Sequence, residues 1–342
     1  MEIRQELYGT TYNELTGITS KLSLPSYTAR QIADWLYKKR IRAISEMSNL
    51  PKDARSKLEE EYTIGLTGPS QFQLSADGTK KYLYRAGNGK FIEAVFIPDS
   101  DRNTLCLSSQ IGCRMGCAFC MTARQGFQGN LTAGEILNQI VSLPESDQLS
   151  NYVFMGMGEP LANTENVLRA LDVMTSDWGF GLSPSRITVS TIGILPGLEQ
   201  ILEKSRCHIA ISLHTPFDNE RLELMPIQKA FPAKRVVDML REKSISRQRR
   251  LSFEYIMFKG LNDTARHING LTRLLNGLRC RINLIRYHPI PGAPYESSDE
   301  ETIRWFSSRL NEKGILTTVR ASRGKDIFAA CGMLSTKVQE EA

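Results

Sequence analysis

The chain has 342 residues, of which 41% are hydrophobic and 23% charged, so it can bury one large core and a smaller appended unit. Its formal net charge of +6 is compatible with nucleic-acid binding but too small to indicate it. No apolar run is long enough to span a membrane, and residues 1–6 lack the apolar segment of a signal peptide, so we expect a cytoplasmic protein without a membrane partner.

Residues 1–66 are predicted to form a small helical domain. A stripe of apolar residues predicts a helix over residues 27–40, and residues 52–62 are typical of a highly charged helix. Four cations fall within residues 37–42. Such a run is most often a solvated surface, and phosphate binding becomes attractive only if the rest of the chain indicates RNA.

Residues 67–98 alternate apolar and polar positions around glycine turns, which predicts a β-meander that extends the main sheet. Residues 99–342 then alternate β-rich runs with helix-like segments, which favours an α/β fold with a parallel sheet or barrel. Functional groups in such folds lie at the carboxyl ends of the strands. The seven predicted strands are residues 104–108, 152–155, 187–190, 209–213, 251–257, 282–286 and 316–319.

Three cysteines follow the first of these strands with the spacing Cys113-x3-Cys117-x2-Cys120. Cysteine thiolates are the usual ligands of iron–sulfur clusters, and a [4Fe–4S] cubane takes four of them. Three ligands leave one iron open to bind and activate a small molecule. The alternatives are a zinc site or buried thiols, but zinc sites usually include a second Cys/His pair, which is not visible here. The odd total of seven cysteines also disfavours a disulfide scaffold.

This spacing, with Phe119 before the last cysteine, resembles the signature of the radical S-adenosylmethionine (SAM) superfamily. The resemblance implies that the open iron binds the amino and carboxylate groups of SAM. One electron, from a donor such as flavodoxin, would then cleave SAM to a 5′-deoxyadenosyl radical. Gly158 and Glu159 resemble the superfamily element that binds the SAM amino group, although such a turn alone is weak evidence. Residues at the next two strand ends are further candidates for the SAM site: Ser190, Ser212, Leu213 and His214.

The ordered set of motifs is similar to that of the radical-SAM RNA adenine methyltransferases, and the resemblance covers essentially the whole chain. It implies a partial (β/α) radical-SAM barrel with a small N-terminal helical domain that binds RNA. The implied substrates are 23S rRNA and tRNA, methylated on carbon 2 of an adenosine. Besides the cysteine run, the resemblance is carried by residues 154–161, 211–214, 282–285 and 329–332.

The resemblance also implies a mechanism with two further cysteines. Carbon 2 of adenine is electrophilic, so it cannot attack the SAM methyl group directly. A first SAM would methylate Cys331, and the radical from a second SAM would convert this methyl group into a methylene radical that adds to the base. Cys106 matches the thiol that resolves the protein–RNA link by forming a disulfide with Cys331. Glu93 matches the base that accepts the ring proton.

One position departs from the family pattern. His288 precedes Pro289 where the family commonly has asparagine in the SAM site. An imidazole donates or accepts one hydrogen bond at a given nitrogen, whereas an amide does both. His288 is therefore a SAM-site candidate that differs chemically from the family residue.

Three alternative functions remain from the sequence. The sister activity at carbon 8 uses the same cluster and cysteines; Pro160 favours carbon 2, whereas residues 284–287 have features of the sister group. An activase of a glycyl-radical enzyme would need neither Cys106 nor Cys331. A non-catalytic iron–sulfur RNA-binding protein would have a closed rather than an open cluster. If the substrate is RNA, residues 37–42 and 246–251 become candidate phosphate contacts.

Overall fold

A helical unit begins the structure, which is a computed structural model that describes residues 4–100, 102–243 and 245–336. Thr11 begins the first helix with a capping box, because its hydroxyl accepts from the Glu14 amide and the Glu14 carboxylate accepts from the Thr11 amide. The first and last elements of the unit are two-residue strands, Gln5–Glu6 and Tyr62–Thr63, which pair in parallel. Its elements are β1 (Gln5–Glu6), α1 (Tyr12–Lys21), α2 (Thr28–Ala33), which continues as a π-helical turn (Asp34–Lys38), α3 (Lys52–Glu61) and β2 (Tyr62–Thr63).

The predicted meander is present and forms part of the main sheet. Its strands alternate direction, and the last of them pairs antiparallel with the strand that carries Cys106. In this register Val95 lies opposite Cys106. The strands of the meander are β3 (Gln71–Leu74), β4 (Lys80–Arg85) and β5 (Phe91–Ile97), and the strand that carries Cys106 is β6 (Thr104–Cys106).

Parallel strands and helices alternate through the rest of the chain. Two short antiparallel strands flank the cysteine run and a short helix before the regular alternation begins. The elements are β7 (Gln110–Ile111), α4 (Met121–Gln125), β8 (Gly129–Asn130), α5 (Ala133–Val141), β9 (Asn151–Phe154), α6 (Thr164–Thr175), β10 (Ile187–Thr191), α7 (Leu195–Lys204), β11 (His208–Ser212), α8 (Asp218–Leu224), α9 (Ala233–Glu242), β12 (Leu251–Met257), α10 (Ala265–Leu275), β13 (Arg281–Arg286), α11 (Glu300–Glu312) and β14 (Leu316–Val319).

The main sheet has ten strands in the order β14-β13-β12-β11-β10-β9-β6-β5-β4-β3. The seven strands from β6 to β14 in this sheet are parallel and form the predicted partial barrel, so the expected fold class is confirmed. All seven predicted strands are present, two with the predicted bounds and five with ends that differ by one or two residues. Parallel strands are buried on both faces, so they read as continuous apolar runs that the sequence reveals directly.

The main sheet ends at β14 on one side and at β3 on the other, and hydrogen bonds join the two sides of this open seam. The Asp77 carboxylate accepts from the Gly324 amide at 2.9 Å, and the Asp326 carboxylate accepts from the Ser75 hydroxyl at 2.5 Å. The Asp326 carboxylate also accepts from the Ala76 amide at 3.0 Å. We call this set of contacts the seam clamp. It attaches the turn between β3 and β4 to the loop that leads to Cys331.

The N-terminal unit packs against the helices that cover the barrel. Tyr37 is buried, and its ring contacts Trp178 and Phe180 with centroid separations of 5.8 and 6.0 Å. The Arg40 guanidinium forms an ion pair with Asp147 at 2.9 Å. None of the helices in the described ranges is long and apolar enough to cross a membrane. The predicted domain boundaries at residues 66 and 98 stay a prediction.

Candidate active site

One cavity at the carboxyl ends of the barrel strands collects most of the predicted site residues. The loops after β6 and β9 supply the cysteines and the glycine turn, and the ends of β10 and β11 supply the small polar residues. The C-terminal segment adds a cysteine from the other side of the seam. The predicted residues that line the cavity are Cys113, Cys117, Cys120, Gly158, Glu159, Ser190, Ser212, His214 and Cys331.

The cysteine loop is held in place from both sides. The Ala118 amide donates to the Leu224 carbonyl at 2.9 Å, and the Met121 amide donates to the Gly332 carbonyl at 2.8 Å. Burial raises the pKa of each of the three thiols, to about 12 for Cys113, so metal binding must displace their protons.

The donor set fits a cluster better than a single metal ion. Among the described residues, no three His, Cys, Asp or Glu side chains converge on one point as they would around one ion. A cubane does not need such convergence, because each thiolate binds a different iron. The three thiols line one cavity that also contains acceptors for a small molecule. This arrangement fits a [4Fe–4S] cluster with one open iron.

Glu159 lies at the centre of a buried network beside the cysteine loop. Its carboxylate accepts from the Thr191 hydroxyl at 2.6 Å and from the amides of Leu161 and Ile192 at 3.0 Å. Burial raises the pKa of Glu159 to about 7, so a nearby cation would stabilise its ionised form and lower this pKa. Gly158 has φ of +97°, and a Cβ there would lie 2.5 Å from the Gln110 Cβ, so only glycine fits this turn.

His214 is held as a neutral imidazole in the cavity wall. Its Nδ1 accepts from the Ile256 amide at 3.1 Å, which leaves the proton on Nε2. Burial, with the charge of Arg221, lowers the pKa of His214 to about 3. The ring contacts Phe119 edge-on, with ring centroids 4.9 Å apart. The aromatic residue of the cysteine run therefore helps to hold the histidine that follows β11.

Cys331 lines the cavity, whereas Cys106 is buried on β6 and is absent from the described lining of the cavity. Cys331 lies three residues beyond Phe328 on the clamped loop and is accessible through the cavity. Cys106 is buried on β6, and burial raises its pKa to about 12, with a further contribution from the charge of Cys331. The Arg320 guanidinium opposes this rise at both thiols, whereas Glu254 adds to it at Cys331. The two thiols therefore lie close enough for the charge of one to act on the other, although 225 residues separate them in the sequence.

Glu93 lies behind the C-terminal segment and does not line the cavity. Its carboxylate forms an ion pair with Lys81 at 3.0 Å and accepts from the Ser335 amide at 3.0 Å. Burial raises the pKa of Glu93, and Lys81 opposes this rise. Leu334, the neighbour of Ser335, lines the cavity, so one short segment separates the carboxylate from the reaction space.

Two SAM-site candidates and several candidate phosphate contacts are placed differently from the rest. Leu213 and His288 are buried but are absent from the described lining of the cavity.

Lys38 and Arg40 form ion pairs with Asp34 and Asp147, so carboxylates already engage two of the four cations in residues 37–42.

In residues 246–251, Arg249 is buried. It donates to the Leu202 carbonyl at 3.0 Å, so it faces the protein interior and not a phosphate group.

Sequence reasoning missed several charged residues of the site. Glu254 lines the cavity from β12, and its Oε1 accepts from Ser252 and Asn283. Its Oε2 makes no hydrogen bond to the described residues, and the Arg320 Nε atom lies 3.6 Å from it. A charged residue inside a strand pattern that is otherwise apolar is the signal that could have identified Glu254.

Comparisons with known proteins agree with this geometry. A family model described as the radical SAM superfamily matches residues 107–268. A second, described as the N-terminal domain of a ribosomal RNA large subunit methyltransferase, matches residues 5–64. The first model includes the cysteine loop and the ends of β10 and β11, and the second coincides with the helical unit.

Relatives over nearly their full length and a solved structure are also similar to this chain. A probable dual-specificity RNA methyltransferase RlmN from Parabacteroides distasonis is 55% identical over 333 residues, which cover 97% of each chain. The dual-specificity RNA methyltransferase RlmN from Syntrophus aciditrophicus is 43% identical and covers 96% of this chain and 95% of its own. A radical SAM methyltransferase from Sphaerobacter thermophilus superposes with a TM-score of 0.89 at 37% identity, covering 96% of this chain and 99% of its own.

Proposed function

We propose that this chain methylates adenosine in ribosomal RNA and in transfer RNA, because it belongs to the RlmN family of dual-specificity RNA methyltransferases within the radical SAM superfamily. The atom that we propose is carbon 2 of the base, in 23S rRNA and in the tRNA adenosine 3′ to the anticodon. The observation that supports this most strongly is that Cys331 lines the same cavity as the cysteine loop and that its charge acts on the buried thiol of Cys106. A protein that only bound RNA, or only generated a radical, would not need this pair.

Residues of the cavity would hold the cofactors. Cys113, Cys117 and Cys120 would bind the [4Fe–4S] cluster, and Glu159 would accept from the amino group of SAM. When bound, the cluster and two SAM molecules supply the methyl group and the radical that abstracts hydrogen from it, with the electron coming from a donor such as flavodoxin. His214 would donate from Nε2, and Ser190 and Ser212 offer hydroxyls to the same ligand.

The chain's own groups would carry the methyl group to the base. Cys331 receives the methyl group on sulfur, and after loss of hydrogen its methylene carbon forms the bond to adenine. Glu93 takes the proton from the ring, and the adduct radical would lose one electron to the oxidised cluster, so the base becomes aromatic again. The Cys106 thiolate then attacks the sulfur of Cys331: a disulfide forms, the carbon–sulfur bond breaks with its electron pair on carbon, and this carbon takes up a proton to become the methyl group. The methylated RNA leaves, and a thiol reductant restores both cysteines.

The helical unit is the proposed contact for the RNA outside the reacting base. It packs against the barrel through Tyr37 and the Arg40–Asp147 ion pair, so it adds surface to the outside of the barrel. The reacting adenosine must leave its stack to reach Cys331.

Glutamine in place of Glu93 is expected to slow the release of methylated RNA by about 10²–10⁴-fold, the usual contribution of a general base. Glutamine keeps the shape and the contact with the Ser335 amide but accepts no proton. Cleavage of SAM and methylation of Cys331 should proceed at the rates of the unaltered enzyme, and mass spectrometry of the protein measures the latter. Unchanged RNA turnover would remove Glu93 from the mechanism.

The affinity for SAM is expected to rise with pH through the pKa of Glu159, which burial raises to about 7. Below this pH the carboxyl group is protonated and accepts only weakly from the amino group; above it the carboxylate accepts strongly. The ionised fraction, and with it the affinity, should increase roughly eightfold between about pH 6 and about pH 7.5. Equilibrium dialysis of the reconstituted enzyme measures this.

Glu159→Gln should weaken SAM binding at high pH and remove the pH dependence in this range. Glu220→Gln is the matched control, because Glu220 is a partly buried carboxylate that contacts His267 away from the cavity. The idea fails if Glu159→Gln retains the slope of the unaltered enzyme.

The decisive test of the proposed function is the identity of the product. The reconstituted enzyme is incubated without oxygen with SAM, a reductant and unmodified rRNA or tRNA, and the digested nucleosides are compared with standards. 2-Methyladenosine supports the proposal, and the RNA that carries it identifies the substrate. 8-Methyladenosine would assign the sister activity, and no methylated adenosine from enzyme that cleaves SAM would sink the methyltransferase proposal.

A further inference from the structure

Arg221 is a fully buried cation without a carboxylate in contact. Its side chain is 1% exposed, and it takes part in no ion pair among the described residues. Every group that it donates to is uncharged. These acceptors are the carbonyls of Ile192 (2.9 Å), Ser212 (3.1 Å), Leu213 (3.3 Å) and Phe231 (3.4 Å) and the Oε1 atom of Gln228 (2.6 Å).

The guanidinium lies directly beneath the floor of the active-site cavity. Two of its acceptors, Ile192 and Ser212, line that cavity. Arg221 is on α8, and the end of this helix accepts the Ala118 amide of the cysteine loop through Leu224. The charge of Arg221 opposes the burial that raises the pKa of the Cys117 thiol, which places the cation near one proposed cluster ligand.

A buried charge is costly unless an opposite charge compensates it. Asp218 is the carboxylate in this region, but it is exposed and reaches Arg221 only through Gln228, whose Nε2 donates to it at 2.5 Å. Three thiolates give a [4Fe–4S] cluster a net negative charge that increases on reduction. The cation is therefore attracted more strongly to the reduced cluster than to the oxidised one, and net charge near a cluster is one determinant of its potential.

We propose that Arg221 is a positioning residue that raises the reduction potential of the cluster and so makes its one-electron reduction easier. The proposal rests on the proposed function only in that the cysteine loop binds a cluster. It goes beyond that function because it assigns control of the electron-transfer step to a residue that touches neither SAM nor RNA. A purely structural role for Arg221, as a support between β10, β11 and α8, is the competing explanation.

The test is a redox titration of the reconstituted protein, followed by electron paramagnetic resonance, without RNA. In Arg221→Gln, the ratio of reduced to oxidised cluster at a fixed potential should fall at least about tenfold, a downward shift of about 59 mV. Arg221→Lys keeps the charge but loses most of the hydrogen bonds, so its midpoint should stay close to that of the unaltered protein. If both variants lose thermal stability and neither midpoint moves, Arg221 is only a structural support.

A second variant keeps the proposal testable if Arg221→Gln fails to bind iron. Gln228→Glu combined with Asp218→Asn moves a negative charge from the surface to the guanidinium without changing net charge. This pair should also lower the midpoint, because the new carboxylate neutralises Arg221; an unchanged midpoint overturns the proposal.

Arg249→Gln is the matched control for loss of a buried guanidinium. Arg249 is 8% exposed and donates to carbonyls as Arg221 does, but the cysteine near it is Cys207, which is not a proposed ligand. Its midpoint should match that of the unaltered protein, and an equal shift in this control would also contradict a specific role for Arg221. The titration contains no RNA, so its result does not depend on which product the methylation assay finds.

Discussion

Serine in place of Cys331 is expected to abolish methylation of RNA while cleavage of SAM continues. The thiol must accept a methyl group from SAM, and a serine hydroxyl ionises far less readily and is a much weaker nucleophile. The hydroxyl is also unable to form the disulfide that releases the product. We expect product formation to fall by on the order of 10⁴-fold or more, as for the loss of other covalent nucleophiles. Methylated nucleosides and 5′-deoxyadenosine are quantified from the same reaction.

The position of Cys331 makes the variant a clean probe of chemistry. The side chain is accessible in the cavity, so serine neither buries a new polar group nor leaves a void. Cys280→Ser serves as the control, because Cys280 is partly buried at the start of β13 and is absent from the described lining of the cavity. Methylated adenosine from Cys331→Ser at a rate near that of Cys280→Ser would require a different methyl carrier.

Alanine in place of Cys106 is expected to leave RNA covalently attached to the protein. The methyl carrier and the base can still join, but the thiol that breaks the carbon–sulfur bond is missing. One RNA should accumulate per active enzyme, and multiple turnover should cease. A denaturing gel shows the adduct, and mass spectrometry of the digested complex locates it on Cys331.

The reference variant for this experiment is Cys207→Ala. Cys207 is fully buried like Cys106 but lies at the amino end of β11, so both substitutions remove a buried sulfur and only one removes the proposed thiol. Loss of the sulfur should lower the free energy of unfolding of both variants by about 1–3 kcal/mol. Free methylated RNA from Cys106→Ala, released over many turnovers, would show that another group resolves the adduct.

The strands of the barrel were predictable because each is a short apolar run with a length that suits a buried parallel strand. The N-terminal unit was harder to predict. Helix α1 has only two buried residues, Leu15 and Thr19, so its apolar stripe is weak. The pairing of β1 with β2 joins residues that are more than fifty positions apart and involves only two residues on each side, which no local pattern reveals.

In the candidate site, too, the local motifs were predictable and the tertiary contacts were not. The cysteine run and the turn at Gly158 are local motifs, and the structure brings them into one cavity. The ion pair between Lys81 and Glu93 and the uncharged acceptors around Arg221 depend on tertiary contacts. A sequence shows that such residues are charged, but it does not show whether a charge is buried, paired or alone.

Burial of Glu93 has a direct consequence for the reaction. The carboxylate is 0% exposed, and the segment that ends in Ser335 covers it. A base in the cavity would reach Glu93 only after this segment moves. Since Cys331 precedes the same segment by a few residues, movement of the methyl carrier toward the base and exposure of the proton acceptor would occur together.

The open seam of the barrel also bears on how such an enzyme could arise. The residues matched by the superfamily model, 107–268, include the proposed cluster ligands and Glu159, whereas Glu93, Cys106 and Cys331 all lie outside them. Cys331 follows β14 and Cys106 lies on β6, the two outer strands of the parallel part of the sheet, and Glu93 lies on β5, the antiparallel strand beside β6. A closed barrel has no free borders, so new chemistry would have to be built into existing strands. Here a radical generator could acquire a new acceptor by additions at its borders, and exchange of those borders is a route to redesign that leaves the generator intact.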